Sequence, residues 1–271
     1  MDDSQHDLAS GYDATYVEFD TALAERLRRE AYGRDIGQHS WASAAEVAED
    51  MARLRLVASS RLLDLGCGPG GPLAFIVGES GCAALGLDRS APAIASARQR
   101  VRQAGLAERV AFECADLDAP LGCLSASVNA VLAIDVVLHL RDRETTFHEV
   151  ARVLAPGGRF LFTDAGVLNG SISSTERERR SIHGATALVP PGTNERALQS
   201  AGLRLLESAD RTPSLLAHAR GRLRARQEHR AELERVEGPE RFAEQVLYLE
   251  TVVELAERGA LTRWMYLAER A

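Results

Sequence analysis

The chain has 271 residues, of which 45% are hydrophobic, so it is long enough to bury a large core as one or two domains. Its 39 acidic and 32 basic residues give a formal net charge of −7 at pH 7, which argues against a nucleic-acid partner held mainly by phosphate contacts. Every basic residue is arginine, and the absence of lysine excludes catalysis by a lysine side chain. We interpret this bias, together with abundant alanine, as the signature of a GC-rich bacterial genome.

The N-terminal string MDDSQHDLAS lacks the basic and apolar regions of a secretory signal. The longest uncharged run, Ala119–Ile134, is too short and too polar to span a bilayer. The cysteines do not have metal-site spacing, and no grouping of His, Cys, Asp and Glu does, so we expect no bound metal. These features predict a cytoplasmic protein without a membrane partner.

Helical periodicity marks the N-terminal part of the chain. Apolar residues recur at helical spacing over Ala14–Ala31, which predicts an amphipathic helix. Ser43 and Glu46 have the spacing of a capping box and predict a second helix from about Ala44 to Leu54. We interpret residues 1–58 as a helical cap.

Short apolar runs and helical segments then alternate. The runs RLLDLG, AALGLD, RVAFECAD, NAVLAID and RFLFTDA predict strands, and the intervening helices are expected at Leu73–Glu79, Ala91–Ala104 and Arg143–Leu154. The turn APGG, residues 155–158, should end the last of these helices. This alternation indicates an α/β fold with a mostly parallel sheet over residues 59–165.

After this core, from Gly166 onward, the alternation of predicted strands and helices is less regular. A helix and a strand are expected over Asn194–Asp210, two helices over Ser214–Val236 and Pro239–Arg258, and a last strand at LTRWMYLAE, residues 261–269. We assign residues 166–271 to a lid over the open end of the sheet, where α/β proteins bind ligands, and to completion of the sheet.

A glycine-rich loop follows the first predicted strand. In LLDLGCGPGG, residues 62–71, Gly66, Gly68 and Gly70 allow the backbone to approach a ligand closely. Gly66, Gly68 and Gly71 also satisfy G-x-G-x-x-G, so the loop alone does not separate a dinucleotide site from another nucleoside site.

Three acids narrow the choice of ligand. Asp64, two residues before Gly66, would repel a pyrophosphate but could hold a cationic amino-acid group. Asp88, 22 residues after Gly66, is placed to accept hydrogen bonds from two ribose hydroxyls. Asp116, at the end of the third strand, could accept one from an adenine amine.

With these residues the sequence resembles the class I S-adenosylmethionine (SAM)-dependent methyltransferases. The resemblance implies a Rossmann-like seven-stranded sheet, mostly parallel with its last strand antiparallel, a helical N-terminal segment and a helical lid insertion. The strings YGRDIGQHSW (residues 32–41) and IDVVLHLRD (residues 134–142) are similar to the branch that includes phosphoethanolamine, sarcosine and ubiquinone-type methyltransferases. Gln38 and His39 replace small residues of that branch, so its acceptor is not carried over.

The resemblance implies methyl transfer from SAM to an O, N or C atom of a small metabolite, in bacterial secondary or specialised metabolism. The cofactor-binding residues it implies are Gln38, Asp64, Gly66, Cys67, Gly68, Gly70, Asp88, Arg89, Asp116, Leu117 and Ile134. Two alternatives stay open, an NAD-dependent oxidoreductase and a SAM-binding protein without catalysis. Asp64 and the absence of lysine disfavour the first.

Methyl transfer from a sulfonium needs a base only when the nucleophile carries a proton. His139 follows the fourth strand and is the candidate base, although it could instead be structural. Asp135, four residues earlier, could orient His139 or bind a cationic acceptor. The candidate acceptor contacts are Tyr16, Trp41, Arg180 and His183. The string TERERR, residues 175–180, is typical of a solvated helix start. The alternative is that Arg180 clamps an anionic acceptor together with Arg196 or Arg211.

Overall fold

The computed structural model describes residues 12–181 and 186–271. The chain is helical at residues 12–17 and again in α1 (Ala22–Tyr32). The single helix predicted over Ala14–Ala31 is therefore wrong, because a turn intervenes and the Thr21 hydroxyl caps α1 afresh. Helix α2 (Ala44–Leu54) has the predicted bounds and the predicted capping box.

One sheet of seven strands runs through the described part of the chain. The strands are β1 (Arg61–Leu65), β2 (Ala83–Asp88), β3 (Val110–Cys114), β4 (Val128–Ile134), β5 (Leu154–Leu168), β6 (Leu203–Asp210) and β7 (Leu261–Arg270). Their order is β3-β2-β1-β4-β5-β7-β6, and β7 is antiparallel to both of its neighbours. The expected Rossmann-like sheet with an antiparallel last strand is confirmed.

Helices cover both faces of this sheet. They are α3 (Gly71–Ser80), α4 (Ala91–Gln103), α5 (Arg143–Val153), α6 (Ser174–Arg180), α7 (Thr193–Ser200), α8 (Thr212–Glu228), α9 (Arg230–Glu237) and α10 (Pro239–Glu257). Two expectations were wrong here. The APGG string lies inside β5, whose Leu154 pairs with Val128 before a bulge, and the helix expected over Ser214–Val236 breaks at His229.

The central strands are buried on both sides, which explains why most of their residues are apolar. Leu62 of β1 and Leu132 of β4 belong to one apolar core, whereas the adjacent Leu63 and Val131 belong to the core on the opposite face. A third core packs Trp41 against α8 and α10. This third core packs the C-terminal helices against Ala165 of β5 and Leu261 of β7.

The segment after residue 165 is more regular than expected. Strand β5 continues to Leu168, and α6 begins at Ser174. The backbone of residues 187–189 returns to the sheet, since Ala187 N donates to Leu138 O at 2.7 Å and Val189 N to Gly166 O at 2.9 Å. No helix in the described ranges is both long and apolar enough to cross a membrane.

Candidate active site

A cleft of about 170 Å³ opens at the carboxyl ends of β1, β2 and β4. It lies where the strand order reverses between β1 and β4, which is the usual ligand position in open α/β sheets. Fourteen of the expected site residues line it: Tyr16, Trp41, Asp64, Gly66, Cys67, Gly68, Asp88, Arg89, Asp116, Leu117, Ile134, Asp135, His139 and Arg180. Among the residues described, no cluster of His, Cys, Asp and Glu has the geometry of a metal site.

The glycine loop is held open toward the cleft. Gly66 and Gly68 adopt φ values of 68° and 52°, in the left-handed region that favours glycine. The amides of Gly66 and Cys67 donate to Leu87 O at 2.7 and 3.0 Å, which ties the loop to β2. A Cβ on Gly66 would overlap Val136, so the turn has no room for a side chain there.

Asp88 connects the glycine loop to the start of α4 through its two carboxylate oxygens. Oδ2 accepts from Gly68 N at 2.8 Å and Oδ1 from Ser90 N at 2.9 Å. Burial raises the pKa of Asp88, and these two amides oppose that effect. Each carboxylate oxygen keeps a further lone pair, so the group can still accept hydrogen bonds from a ligand.

Asp64 lies buried in the cleft and forms no ion pair with any described residue. Its side chain is 4% exposed, and it accepts no hydrogen bond from any residue in the described ranges. Burial, and then the charge of Asp88, raise the pKa of Asp64 well above its usual range. A ligand cation next to Asp64 would favour the ionised carboxylate.

Two expected site residues that the structure describes, Gln38 and Gly70, do not line the cleft. Gln38 closes its own loop, accepting from Ile36 N at 2.8 Å and donating to Arg34 O at 3.0 Å. Gly70 caps α3, and a Cβ there would meet Ala97 at 2.8 Å, so its requirement is structural. His183 lies outside the described residues.

Both carboxylate oxygens of Asp135 are already hydrogen-bonded within the protein. Its Oδ1 accepts from Arg263 Nε at 2.8 Å and from Thr163 Oγ1 at 2.7 Å, and its Oδ2 accepts from Trp41 N at 2.9 Å. Arg263 is fully buried and also donates to Glu46 Oε1 at 3.0 Å. Asp135 therefore fixes Trp41 at the wall of the cleft and is neutralised by Arg263.

His139 ends a 3₁₀ turn after β4 and faces the cleft. Its Nε2 lies 2.8 Å from the hydroxyl oxygen of Tyr12, a residue that the sequence analysis did not identify. Burial raises the pKa of Tyr12 far above its usual value, so the phenol keeps its proton. In the tautomer with the proton on Nδ1, Nε2 accepts the hydrogen bond from Tyr12 and is the nitrogen that can accept a proton.

Arg180 and Arg222 line the part of the cleft away from Arg89, the third arginine in its wall. Arg180 is 4% exposed and donates to Ala165 O at 3.1 Å and to the Tyr248 hydroxyl at 3.4 Å. Its Nε has no hydrogen-bond partner in the described residues. Arg222 lies 4.8 Å above the Trp41 ring. Across residues 12–181 and 186–271, neither guanidinium pairs with a carboxylate.

The expected partners of Arg180 lie elsewhere. Arg196 donates to Thr193 Oγ1 at 3.0 Å, and Arg211 pairs with Asp50 at 3.3 Å and with two further acids of α2. Neither lines the cleft. Arg222 lines the cleft together with Arg180, a position that was expected for Arg196 or Arg211.

Comparisons with known proteins agree with this geometry. A family model described as a methyltransferase domain matches residues 63–162. The 27-O-demethylrifamycin SV methyltransferase of Amycolatopsis mediterranei is 30% identical over 203 residues, which are 73% of this chain and 74% of that protein. The chain belongs to the class I SAM-dependent methyltransferases.

Two further comparisons agree with this family assignment. Methyltransferase GfsG of Streptomyces halstedii is 34% identical over 184 residues, 61% of this chain and 62% of that protein, so less than two thirds of that relative is matched. A solved putative sarcosine dimethylglycine methyltransferase from Galdieria sulphuraria has a TM-score of 0.73 and 25% identity, covering 83% of this chain and 84% of that one. The cofactor of the family is SAM.

Proposed function

We propose that this methyltransferase binds SAM along β1 and β2 and methylates a small metabolite whose anionic group is held by Arg180 and Arg222. The observation that carries the proposal is the buried guanidinium of Arg180, which faces the cleft with no carboxylate partner in the described chain. A buried, unpaired charge is unfavourable. A bound carboxylate or phosphate would supply the missing charge and a bidentate hydrogen-bonding partner.

The cofactor half of the cleft fits each polar part of SAM. Asp64 would accept from the α-ammonium group, Asp88 from the ribose hydroxyls and Asp116 from the adenine amine. Gly66 and Gly68 leave space for a ligand against the backbone. NAD would instead bring a pyrophosphate next to Asp64. When it is bound, SAM supplies an electrophilic methyl group on a sulfonium.

His139 would act as the base for the acceptor. An acceptor O–H or N–H in place of the Tyr12 hydroxyl would donate to the same Nε2. As the lone pair of the nucleophile forms the bond to the methyl carbon, the pair of the broken C–S bond stays on sulfur, and His139 takes the proton. Tyr12, Tyr16 and Trp41 would exclude water from this part of the cleft.

Replacing Asp88 by alanine should weaken SAM binding at least tenfold, which an isothermal titration measures. The variant loses hydrogen bonds from ribose hydroxyls to a carboxylate, worth about 1.5–3 kcal/mol each. Asp118→Ala is the matched control, because Asp118 also lines the cleft yet already pairs with Arg141 at 3.1 Å. Unchanged affinity in a folded Asp88→Ala protein would contradict the assignment.

Replacing Arg180 by glutamine should remove a preference for anionic acceptors. We expect a screen of hydroxy acids and their neutral amides, with methyl-labelled SAM, to give faster labelling of the acids by the wild type. In Arg180→Gln the KM for those acids should rise at least tenfold while SAM affinity stays the same. Arg196→Gln, which lies outside the cleft, should behave as the wild type. Equal labelling of acids and amides by the wild type would argue against an anionic acceptor, and no labelling at all despite SAM binding would indicate a non-catalytic protein.

A further inference from the structure

A second cavity, of about 160 Å³, lies between α1, α8, α9 and α10. Its wall is mainly apolar and includes Leu23, Leu27, Ala225, Leu233 and Val236. Val236 is 46% exposed. An apolar cavity of this size is comparable to one that holds a benzene-sized molecule, so it has room for about six carbon atoms.

The second cavity adjoins the cleft through two shared residues, His39 and Arg222. The His39 ring makes edge contacts with Tyr16, which lines the cleft, at 5.5 Å, and with Phe19, which lines the second cavity, at 6.0 Å. The Arg222 guanidinium lies over Trp41 on the cleft side. The boundary between the two spaces is therefore formed by an imidazole ring and a guanidinium group.

Some of the charges in the second cavity are already matched. Arg226 pairs with Glu237, and Arg28 pairs with Asp35 at 2.8 Å. Arg222, Arg241 and Glu18 also line the cavity and form no ion pair within the described ranges, and Arg241 donates to Thr15 Oγ1 at 3.3 Å. A ligand in this cavity thus meets the Arg222 cation at the boundary with the cleft and mainly apolar side chains, with Arg241 and Glu18, beyond it.

We propose that the acceptor is an amphiphile whose anionic group lies at Arg222 and whose apolar part occupies the second cavity. This inference rests on the proposed function, since it uses the anion site at Arg180 and Arg222. It adds the substrate class: an acid or phosphate with an apolar extension of about six carbons. Burial of that extension would contribute affinity that a short polar acid lacks.

Straight-chain carboxylates test this class without knowledge of the natural acceptor. Butanoate, hexanoate and octanoate are titrated into the full chain in the presence of S-adenosylhomocysteine. We expect affinity to rise up to about fourfold for each methylene, the factor that corresponds to about 0.8 kcal/mol. Octylammonium, with the same chain and the opposite charge, should bind far more weakly than octanoate. Equal affinity across the three acids, or octylammonium binding as well as octanoate, would overturn the inference.

A larger side chain in the second cavity tests the role of this cavity without changing a residue of the cleft. Ala24 lines the second cavity from α1, and Ala22 is exposed on the same helix, so Ala24→Phe has Ala22→Phe as its control. Ala24→Phe should abolish the gain from butanoate to octanoate, and Ala22→Phe should keep it. Val236→Trp, at a half-exposed position, is a second filling variant if Ala24→Phe does not fold.

The two proposals fail in different ways. An unchanged chain-length gain in both filling variants, with S-adenosylhomocysteine still bound, would overturn only the role of the second cavity. Failure of the wild type to bind S-adenosylhomocysteine would instead overturn the proposed function.

Discussion

Replacing His139 by alanine is expected to lower turnover by about 10²- to 10⁴-fold while leaving SAM affinity nearly unchanged. The expectation follows from the position of the His139 ring, which lines the cleft and has its Nε2 at 2.8 Å from the Tyr12 hydroxyl oxygen. Without the imidazole, a protonated nucleophile has no base at the end of β4. Steady-state kinetics with the acceptor and a calorimetric titration of SAM measure the two quantities.

The pH profile distinguishes a base from a packing residue. The wild-type rate should fall once the solution is acidic enough to protonate the imidazole, and this acid limb should disappear in His139→Ala. Tyr12→Phe is the companion variant to His139→Ala, because it removes the hydroxyl that is hydrogen-bonded to Nε2 and keeps the aromatic ring. It should retain the acid limb. A destabilised His139→Ala protein with the wild-type pH profile would indicate packing, and full activity would show that the acceptor transfers no proton to His139.

The α/β core is predicted well from the sequence because each strand and helix is marked by its own short pattern of apolar residues. Strands β1 and β4 are buried on both faces, so the sequence of each is mostly apolar. Two of the wrong element boundaries have different causes. The apolar spacing of residues 14–31 continues across the turn before Thr21, and APGG has turn chemistry although it lies within the bulged start of β5.

The cofactor half of the site was predictable for the same reason. Asp64 and Asp88 are fixed by their spacing from the glycine loop, and both line the cleft. The acceptor half depends on contacts between distant segments. Tyr12 meets His139 across 127 positions, and Arg222 is one of four arginines in α8. Within the described residues, the absence of an acidic partner distinguishes Arg222 from the paired Arg211, and this cannot be read from the sequence.

Replacing Asp135 by asparagine should lower the free energy of unfolding by about 3–5 kcal/mol, because it leaves a buried guanidinium without one of its two carboxylates. Burial lowers the pKa of Arg263, yet Asp135 and Glu46 together raise it above its usual value. Asparagine suits the test, since Asp135 has a φ of 55° and asparagine tolerates that region better than alanine does. Urea unfolding at neutral pH measures the change, and Asp116→Asn, at an exposed site, should stay within about 0.5 kcal/mol of the wild type.

A double-mutant cycle shows whether the pair itself causes the loss. Arg263→Met alone should also destabilise the protein, because it leaves Asp135 and Glu46 close together without their shared cation. The double variant should lose less than the sum of the two single variants, by about 0.5–3 kcal/mol. Strict additivity would show that the two side chains do not interact. If Asp135 were a catalytic residue and not a positioning residue, Asp135→Asn would lose turnover with the free energy of unfolding unchanged. We expect both to fall, since the same carboxylate neutralises Arg263 and holds the Trp41 backbone at the wall of the cleft.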